Sequence, residues 1–538
     1  MGGVGIHGLE LVFLLLLLFV VVFAALARRI QTPYPIVLVI AGLALSLVPG
    51  IPKISLHPDV IFLVVLPPLL YYAAWQMPLR EFKFHLVSIG LLAFGLVGFT
   101  VVGVGWSAKW VFAGFDWRLG CVLGAVVATT DAIAATSIAK RLGLPHEIMD
   151  VLEGESLLND ASGLLALEFA VAMVVTGETP TIGQGILRLI YLIAVGIVFG
   201  LLLGVVSELI HRRIDDGPIE ITLSILVPYT VYLGAEALHC SGVLAVIACG
   251  LYLSRHSSHF FTANVRIQGW AVWDSLTFVL NGLVFVLIGL QLPFVLAGIR
   301  EYSFRDLLRY GAIFSVLLIL LRLIWVFPGA FLANFVRRKL LHQKLGSPSV
   351  RQIFVVGWTG MRGVIALAAA LALPETLSDG SPFPQRNLIV FLTFCVIVVT
   401  LVLQGLSLPL LIRALGLSGA MTSKHEQEEQ QARLAMADAA LALLAEARTK
   451  SGEQFEQIYD EIEQRYRRRL SNLTGMDDHG GAVDREAHVH YIELLRNLVN
   501  AERKTAVEMR DAGHINDEVL RKVERELDLT ESRLALMT

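Results

Sequence analysis

The sequence predicts an all-α polytopic membrane protein of about thirteen transmembrane helices, followed by a helical cytoplasmic tail. Three observations carry this. Of 538 residues, 55% are hydrophobic and 17% charged, and the mean hydropathy is +0.68, whereas soluble domains run near 45–50% apolar and about 25% charged. Apolar runs recur between Leu9 and Leu415, and at 1.5 Å per residue about 20 residues cross a hydrocarbon layer about 30 Å thick. Beyond Ala420 the composition shifts to Glu, Arg, Ala and Leu and is depleted of proline.

Spans are expected near 9–28, 33–49, 58–78, 86–112, 119–139, 147–176, 184–211, 220–238, 241–254, 271–293, 306–336, 352–373 and 387–415. The first run ends in small residues, as a secretory signal does. No basic residue precedes it and Arg28-Arg29 follow it, the reverse of a signal's charge order, so it is read as helix 1. With the amino terminus outside, the cytoplasmic connections carry Arg28-Arg29, Arg80, Lys83, Lys140-Arg141, Arg212-Arg213, Arg255, Arg266, Arg337-Arg338-Lys339 and Lys344. The outer connections carry fewer, chiefly Arg300, Arg305 and Arg309. The positive-inside rule then favours N-out, C-in, and an odd number of spans. Compact loops point to a bacterial inner membrane.

The chain thus divides into a membrane part, 1–420, and a cytoplasmic regulatory tail, 421–538. Within the tail, 431–447 and 519–536 show helical apolar spacing with charged faces, and 474–482 reads as a loop. The run Arg465, Arg467, Arg468, Arg469 is read as a solvated helix face rather than a lipid contact. His488 and His490, two apart, fall on different helix faces, which argues against a paired pH sensor. A formal net charge of −3 argues against nucleic acid as partner. Cys121, Cys240, Cys249 and Cys395 lack metal-ligand spacing and read as small buried hydrophobes.

Ionisable residues inside spans are costly and mark functional paths. Here they are Asp131, in Ala128-Thr129-Thr130-Asp131-Ala132; Glu155 and Asp160, in Glu155-Ser156-Leu157-Leu158-Asn159-Asp160-Ala161; Arg322; and Arg362, in Gly360-Met361-Arg362-Gly363. Ser156 and Asp160, four apart, share one helix face, and Glu155 and Asn159 share the neighbouring one. A dehydrated carboxylate binds protons more tightly than one in water. With a few more oxygens it also replaces the water shell of a hard cation. One negative charge does not easily hold both, so proton and cation compete, and competition at an alternately exposed carboxylate is antiport. Thr129, Thr130 and Asp131, followed by Thr136 and Ser137, form a hydroxyl-rich stretch that tolerates unwinding toward a cavity. Serine and threonine in membrane helices often only bond a neighbouring helix, so a ligand role and a structural one both stay open for Thr130 and Ser156. Glu155 and Arg362, opposite in charge, are expected to form a structural ion pair. Arg322 has no evident partner, and Glu168, Glu208, Glu236 and Asp274 are expected near interfaces or in local pairs.

The ESLLND string, the Thr130-Asp131 pair one helix earlier and Gly360-Met361-Arg362-Gly363 together resemble the cation/proton antiporter 1 family, the NhaP- and NHE-type sodium/proton exchangers. Pro67-Pro68-Leu69-Leu70, Asn281-Gly282-Leu283-Val284-Phe285 and Gly289-Leu290 also look like its pattern. The resemblance covers roughly residues 9–415. It implies a homodimer of thirteen-helix protomers built on inverted repeats, the antiporter fold with core and dimerisation domains, in which spans 5 and 12 cross as broken helices. It implies Asp160 as cation and proton carrier, with Asp131, Ser156 and the Thr130 carbonyl as further ligands of the transported alkali cation. Glu155 and Arg362 become the pair that holds span 6, and Asn159 a structural and selectivity neighbour. The Asn159-Asp160 pair resembles the electroneutral exchangers of one cation for one proton. Sodium or lithium is expected first and potassium second, with no cofactor beyond the transported ions.

Two departures bear on this. Relatives commonly have proline after the Thr-Asp pair, where this chain has Ala132, so unwinding of span 5 is less forced. Relatives often have an acid four positions after Pro68, where this chain has Tyr72, so cation affinity, pH range or selectivity is expected to differ. Among rival classes, an intramembrane aspartyl protease would use Asp131 and Asp160 as a dyad, but no GxGD segment is present. A cation channel would need a filter-like carbonyl motif, and none is seen. The expectation is therefore a transporter and not an enzyme.

Overall fold

The computed structural model describes residues 6–49, 56–177, 182–299, 302–343, 349–377, 380–418, 422–450, 455–474, 485–512, 514 and 517–535. Two compact units emerge, Met1–Met421 and Thr422–Thr538.

Among the described residues of the first unit the regular structure is helical, apart from one isolated bridge between Thr376 and Pro382. In chain order its helices are α1 (Ile6–Arg29), α2 (Tyr34–Ser46), α3 (Pro58–Gln76), α4 (Leu79–Val111), α5 (Trp117–Val126), α6 (Ile133–Leu142) and α7 (His146–Val175). They continue as α8 (Ile182–His211), α9 (Gly217–Ala237), α10 (Gly242–Phe260), α11 (Ala263–Leu290), α12 (Leu292–Ala297), α13 (Phe304–Lys339), α14 (Val350–Trp358), α15 (Val364–Leu371) and α16 (Arg386–Ala414). Every expected span falls on one of these helices or on a collinear or broken pair. Among the described residues, nine helical stretches are long and apolar enough to cross a membrane.

Burial follows the solvent a bilayer would provide. Leu14, Leu18, Leu187, Val198, Leu202, Leu320 and Phe331 face outward, as the apolar environment of lipid permits. Aliphatic and small residues of α5, α10, α15 and α16 fill the interior, Val122, Leu123, Val246, Cys249, Leu367, Ala368, Ile389 and Ile397 among them. Cys121, Cys240 and Cys249 are buried free thiols.

Local sequence sets the ends that matter later. Asp116 caps α5 by accepting from Leu119 N at 2.8 Å. Ser349 and Gln352 form a reciprocal capping box that starts α14. α5 stops at Val126 and α6 starts at Ile133; α14 stops at Trp358 and α15 starts at Val364. The fifth and twelfth spans are therefore each two half-helices joined by non-helical backbone.

The second unit holds α17 (Thr422–Lys450), α18 (Glu456–Thr474), α19 (Arg485–Asp511) and α20 (Asp517–Ala535). α17 and α18 pair through Arg448, which bridges Asp460 at 2.8 Å and Glu463 at 3.1 Å and also contacts Glu456. Glu456 and, after it, Asp460 raise the Arg448 guanidinium above its ordinary range. α19 and α20 bury Ile492, Val499 and Leu527 between them, while Arg503 reaches Asp528 and Glu531, each at 2.6 Å. Exposed pairs of this kind contribute little to stability, so apolar spacing carries the tail's packing. Within the arginine run, Arg467 pairs with Glu463 one turn earlier, and His490 is exposed. The expected 474–482 loop lies, past Thr474, outside the described residues, as do Arg300, Lys344, Leu536 and the side chains of Arg469 and His488.

Candidate functional site

The two broken helices meet. Asp131 N donates to Met361 O at 2.8 Å, joining the gap between α5 and α6 to the gap between α14 and α15. Unwound backbone inside a membrane protein must have its polar groups satisfied, and here several of its groups find partners across the crossing. Arg362 Nη1 donates to the carbonyls of Ala128 at 3.1 Å and Thr129 at 3.2 Å. Ser156 Oγ donates to Thr130 O at 2.8 Å and accepts from Ala132 N at 3.3 Å. Asp131 Oδ1 accepts from Ile133 N, the first residue of α6, at 2.8 Å. On the other strand of the crossing, Arg362 N donates to Thr400 Oγ1 at 3.1 Å.

The break in the fifth span therefore forms without proline. Ala132 would allow a continuous helix, but a guanidinium, a serine hydroxyl and a neighbouring carbonyl together outbid the intrahelical bonds. Glycine is required where the crossing is tightest. A Cβ on Gly363 would lie 2.6 Å from both Cβ and Oδ2 of Asp131, and one on Gly360 would lie 2.2 Å from Arg322 Cδ.

The ion pair expected between Glu155 and Arg362 is not what forms. Glu155 is paired with Arg322 of α13: Nη2 reaches Oε2 at 2.9 Å and Nη1 contacts Oε1. Both side chains are almost wholly buried, at 1% and 2% exposure. Arg322 also donates to the carbonyls of Gly357 at 3.1 Å and Val356 at 3.0 Å, the last turn of α14. Arg362 instead ties the opposite break. A planar fork with five donors suits Arg322, since it can hold a carboxylate edge-on and two carbonyls at once. Sequence pattern marked Arg322 as a lone intramembrane charge, which must have a partner. It did not show that the partner lay 167 residues earlier.

The α7 faces separate as helix geometry dictates. Ser156 and Asp160 line a cavity of about 320 Å³, whereas Glu155 and Asn159 turn away from it. Asn159 Nδ2 bonds Thr130 Oγ1, whose hydroxyl lies 3.4 Å from Glu155 Oε1. Thr129, Thr130, Asp131 and Thr136 line the same cavity, together with Asn281 from α11 and Gly363. Asp160 is 5% exposed and makes no ion pair or hydrogen bond with a described residue. The donors converging here are carboxylates, hydroxyls and carbonyls, the oxygen set that hard cations take.

The carboxylate lacking at Tyr72 is present beside it. Tyr72 Oη donates to Asp274 Oδ1 at 2.5 Å, its ring stacks on Trp273 at 5.5 Å, and both Tyr72 and Asp274 line the cavity wall. Asp274, expected at an interface or in a local pair, thus bonds a residue 202 positions away. Of the other intramembrane acids, Glu208 pairs locally with Arg212 and also accepts from Tyr252 at 2.7 Å, while Glu168 meets Arg188 at 3.5 Å. Toward its mouth the cavity reaches Gln76, Lys140 and Glu153, the last two bridged at 3.2 Å.

A bundle with two crossed broken helices and a buried carboxylate between them is the architecture of a secondary transporter. Comparison with known proteins agrees. Residues 14–414 match the family described as sodium/hydrogen exchanger, transmembrane. An uncharacterised Na+/H+ exchanger of Mycobacterium tuberculosis is 34% identical over 527 residues, 96% of this chain and 94% of that one. The sodium, potassium, lithium and rubidium/H+ antiporter of Bacillus subtilis is 32% identical over 392 residues, 70% of this chain and 58% of that one. The sodium proton antiporter MjNhaP1 of Methanocaldococcus jannaschii shares the fold, with a TM-score of 0.58 at 20% identity over 78% of this chain and all of that one. The chain belongs to the sodium/hydrogen exchanger family: it is a multi-pass membrane antiporter of cations and protons, and its relatives are transporters rather than enzymes.

Proposed function

We propose that the chain exchanges one monovalent cation for one proton at Asp160, with Na+ or Li+ the first substrates and K+ the second. One observation carries this: Asp160 stands buried and unpaired on the wall of a polar cavity, beside Asp131, Ser156 and Thr130 at the crossing of two broken helices. Deprotonated, it presents a full negative charge where Asp131, the Ser156 hydroxyl and the Thr130 carbonyl can complete a cation's shell. Protonated, it has no charge to hold the cation. Asn159 positions Thr130, Glu155 and Arg322 hold α7 against α13 and α14, and Arg362 keeps the fifth-span break open. The breadth of the Bacillus relative, named for sodium, potassium, lithium and rubidium, keeps K+ among the cations to test.

A second cavity of about 240 Å³ supports alternating access. Ala161, Leu164, Leu165 and Glu168 of α7 line it together with Arg188 and Glu236. One helix thus borders a cavity on either side of Asp160, and a modest displacement of α7 transfers its carboxylate between them. Electroneutral exchange follows from a single titrating carrier. The homodimer, the N-out, C-in orientation and a regulatory role for 421–538 belong to the same proposal, on the grounds of family resemblance and basic-residue placement.

The test is proton flux in proteoliposomes on adding Na+, Li+, K+ or Ca2+ outside, with Asp160→Asn as control. Flux driven by an alkali cation and absent in the variant is expected, without a membrane potential generated by turnover. Equal flux in Asp160→Asn and wild type would remove the central role of Asp160; turnover that builds a potential would remove the 1:1 stoichiometry.

A further inference from the structure

Away from the ion path, a third cavity of about 300 Å³ lies among the ends of α4, α7, α13 and α14 beside the basic run Arg337-Arg338-Lys339. Its wall on α13 is a helical stripe from Val326 through Ala330 and Ala333 to Arg337. The eleven rises of about 1.5 Å from Val326 to Arg337 extend about 16 Å along the helix. The deep end is apolar, with Leu92, Val151, Val326 and Val356. At the shallow end stands Arg337, only 9% exposed, with Nε donating to Gln343 Oε1 at 3.0 Å and Nη2 lacking a partner among the described residues. Phe84 packs under the guanidinium at 4.6 Å. Glu147 lines the same opening, is exposed, and forms no ion pair with Arg337.

A guanidinium and a carboxylate that share one cavity without closing on each other call for a ligand carrying both charges. We propose that this groove binds a phosphoethanolamine phospholipid from the adjoining leaflet. The order of chemistry along the groove is the order along the lipid: acyl chain on the apolar stripe, phosphate on Arg337, primary ammonium on Glu147 at the mouth. Burial makes the unpaired Nη2 a strong anion donor, because leaving it unmatched costs desolvation with no return. A primary ammonium donates N–H bonds to Glu147, which a quaternary ammonium cannot. Occupancy also bears on the exchange site, since Val356 both lines the groove and accepts from Arg322 through its carbonyl.

The experiment uses the full chain, delipidated in detergent, with matched-chain phosphatidylethanolamine, phosphatidylglycerol, phosphatidylcholine or inorganic phosphate added back. Lipid retained is read by native mass spectrometry and stabilisation by the thermal midpoint. Phosphatidylethanolamine is expected to bind tightest and to raise the midpoint most. Arg337→Gln is expected to weaken it about tenfold or more, the scale of one charged hydrogen bond. Should Arg337→Gln fold poorly, Glu147→Gln, at an exposed position, decides: it is expected to erase the preference over phosphatidylcholine and phosphatidylglycerol while lipid still binds. Stronger binding of phosphatidylglycerol in wild type overturns the assignment in favour of an anionic headgroup. An equal effect from inorganic phosphate overturns it in favour of a free anion. Equal retention of all three lipids, unchanged in Glu147→Gln, means no headgroup recognition and also overturns it.

Discussion

Removing Arg322 tests which arginine holds α7. The Arg322 side chain makes two contacts to Glu155 and one each to the carbonyls of Val356 and Gly357, all at near-zero exposure. Arg322→Met strands Glu155 as an unpaired buried carboxylate, and breaking a buried pair from one side costs about 3–5 kcal/mol. That is a large share of the 5–15 kcal/mol typical of folded proteins. Much of the loss comes from the stranded charge, so Glu155→Gln/Arg322→Met is expected to be more stable than Arg322→Met alone, with a coupling of about 2 kcal/mol or more between the two positions. Arg362 shows no hydrogen bond to Glu155, so a parallel cycle on Glu155 and Arg362 is expected to give a clearly smaller coupling. The assay is reversible denaturant unfolding of purified protein, followed by tryptophan fluorescence, for both cycles. A Glu155–Arg362 coupling equal to or larger than that of Glu155–Arg322 would falsify the pairing.

Asp160→Asn is expected to abolish cation-driven proton flux while leaving the thermal midpoint near that of wild type; loss of folding in this variant would show that Asp160 is structural. Gly363→Ala places a methyl against Asp131, so a destabilisation of about 1–3 kcal/mol, the usual cost of overpacking, should accompany a strong loss of exchange, and an unaffected variant would show that the crossing relaxes freely. Tyr72→Phe frees Asp274 from its phenol donor and is expected to change apparent cation affinity in the flux assay, with an identical concentration dependence counting against a role for that wall. Deletion of 422–538, the second compact unit, is expected to leave exchange intact and shift its regulation, and a folded truncation without exchange would contradict that.

Much of this protein was legible in its sequence because the bilayer makes local composition decisive. Apolar runs, the ESLLND face and a few charges in spans identified the helices and singled out Asp131, Glu155 and Asp160, since an intramembrane charge has few innocent explanations. Helix periodicity also separated Ser156 and Asp160 from Glu155 and Asn159, and the cavity observes that division. Pairings across the bundle were not legible. Glu155 meets Arg322 rather than Arg362, and Tyr72 meets Asp274, over separations of 167 and 202 residues. Periodicity states which face of a helix a residue occupies, but not which helix packs on that face. The fifth span breaks before Ile133 for the same reason: propensity there permits a helix, and only the arrival of Arg362, Ser156 and Met361 from elsewhere in the chain supplies hydrogen-bond partners to the unwound backbone.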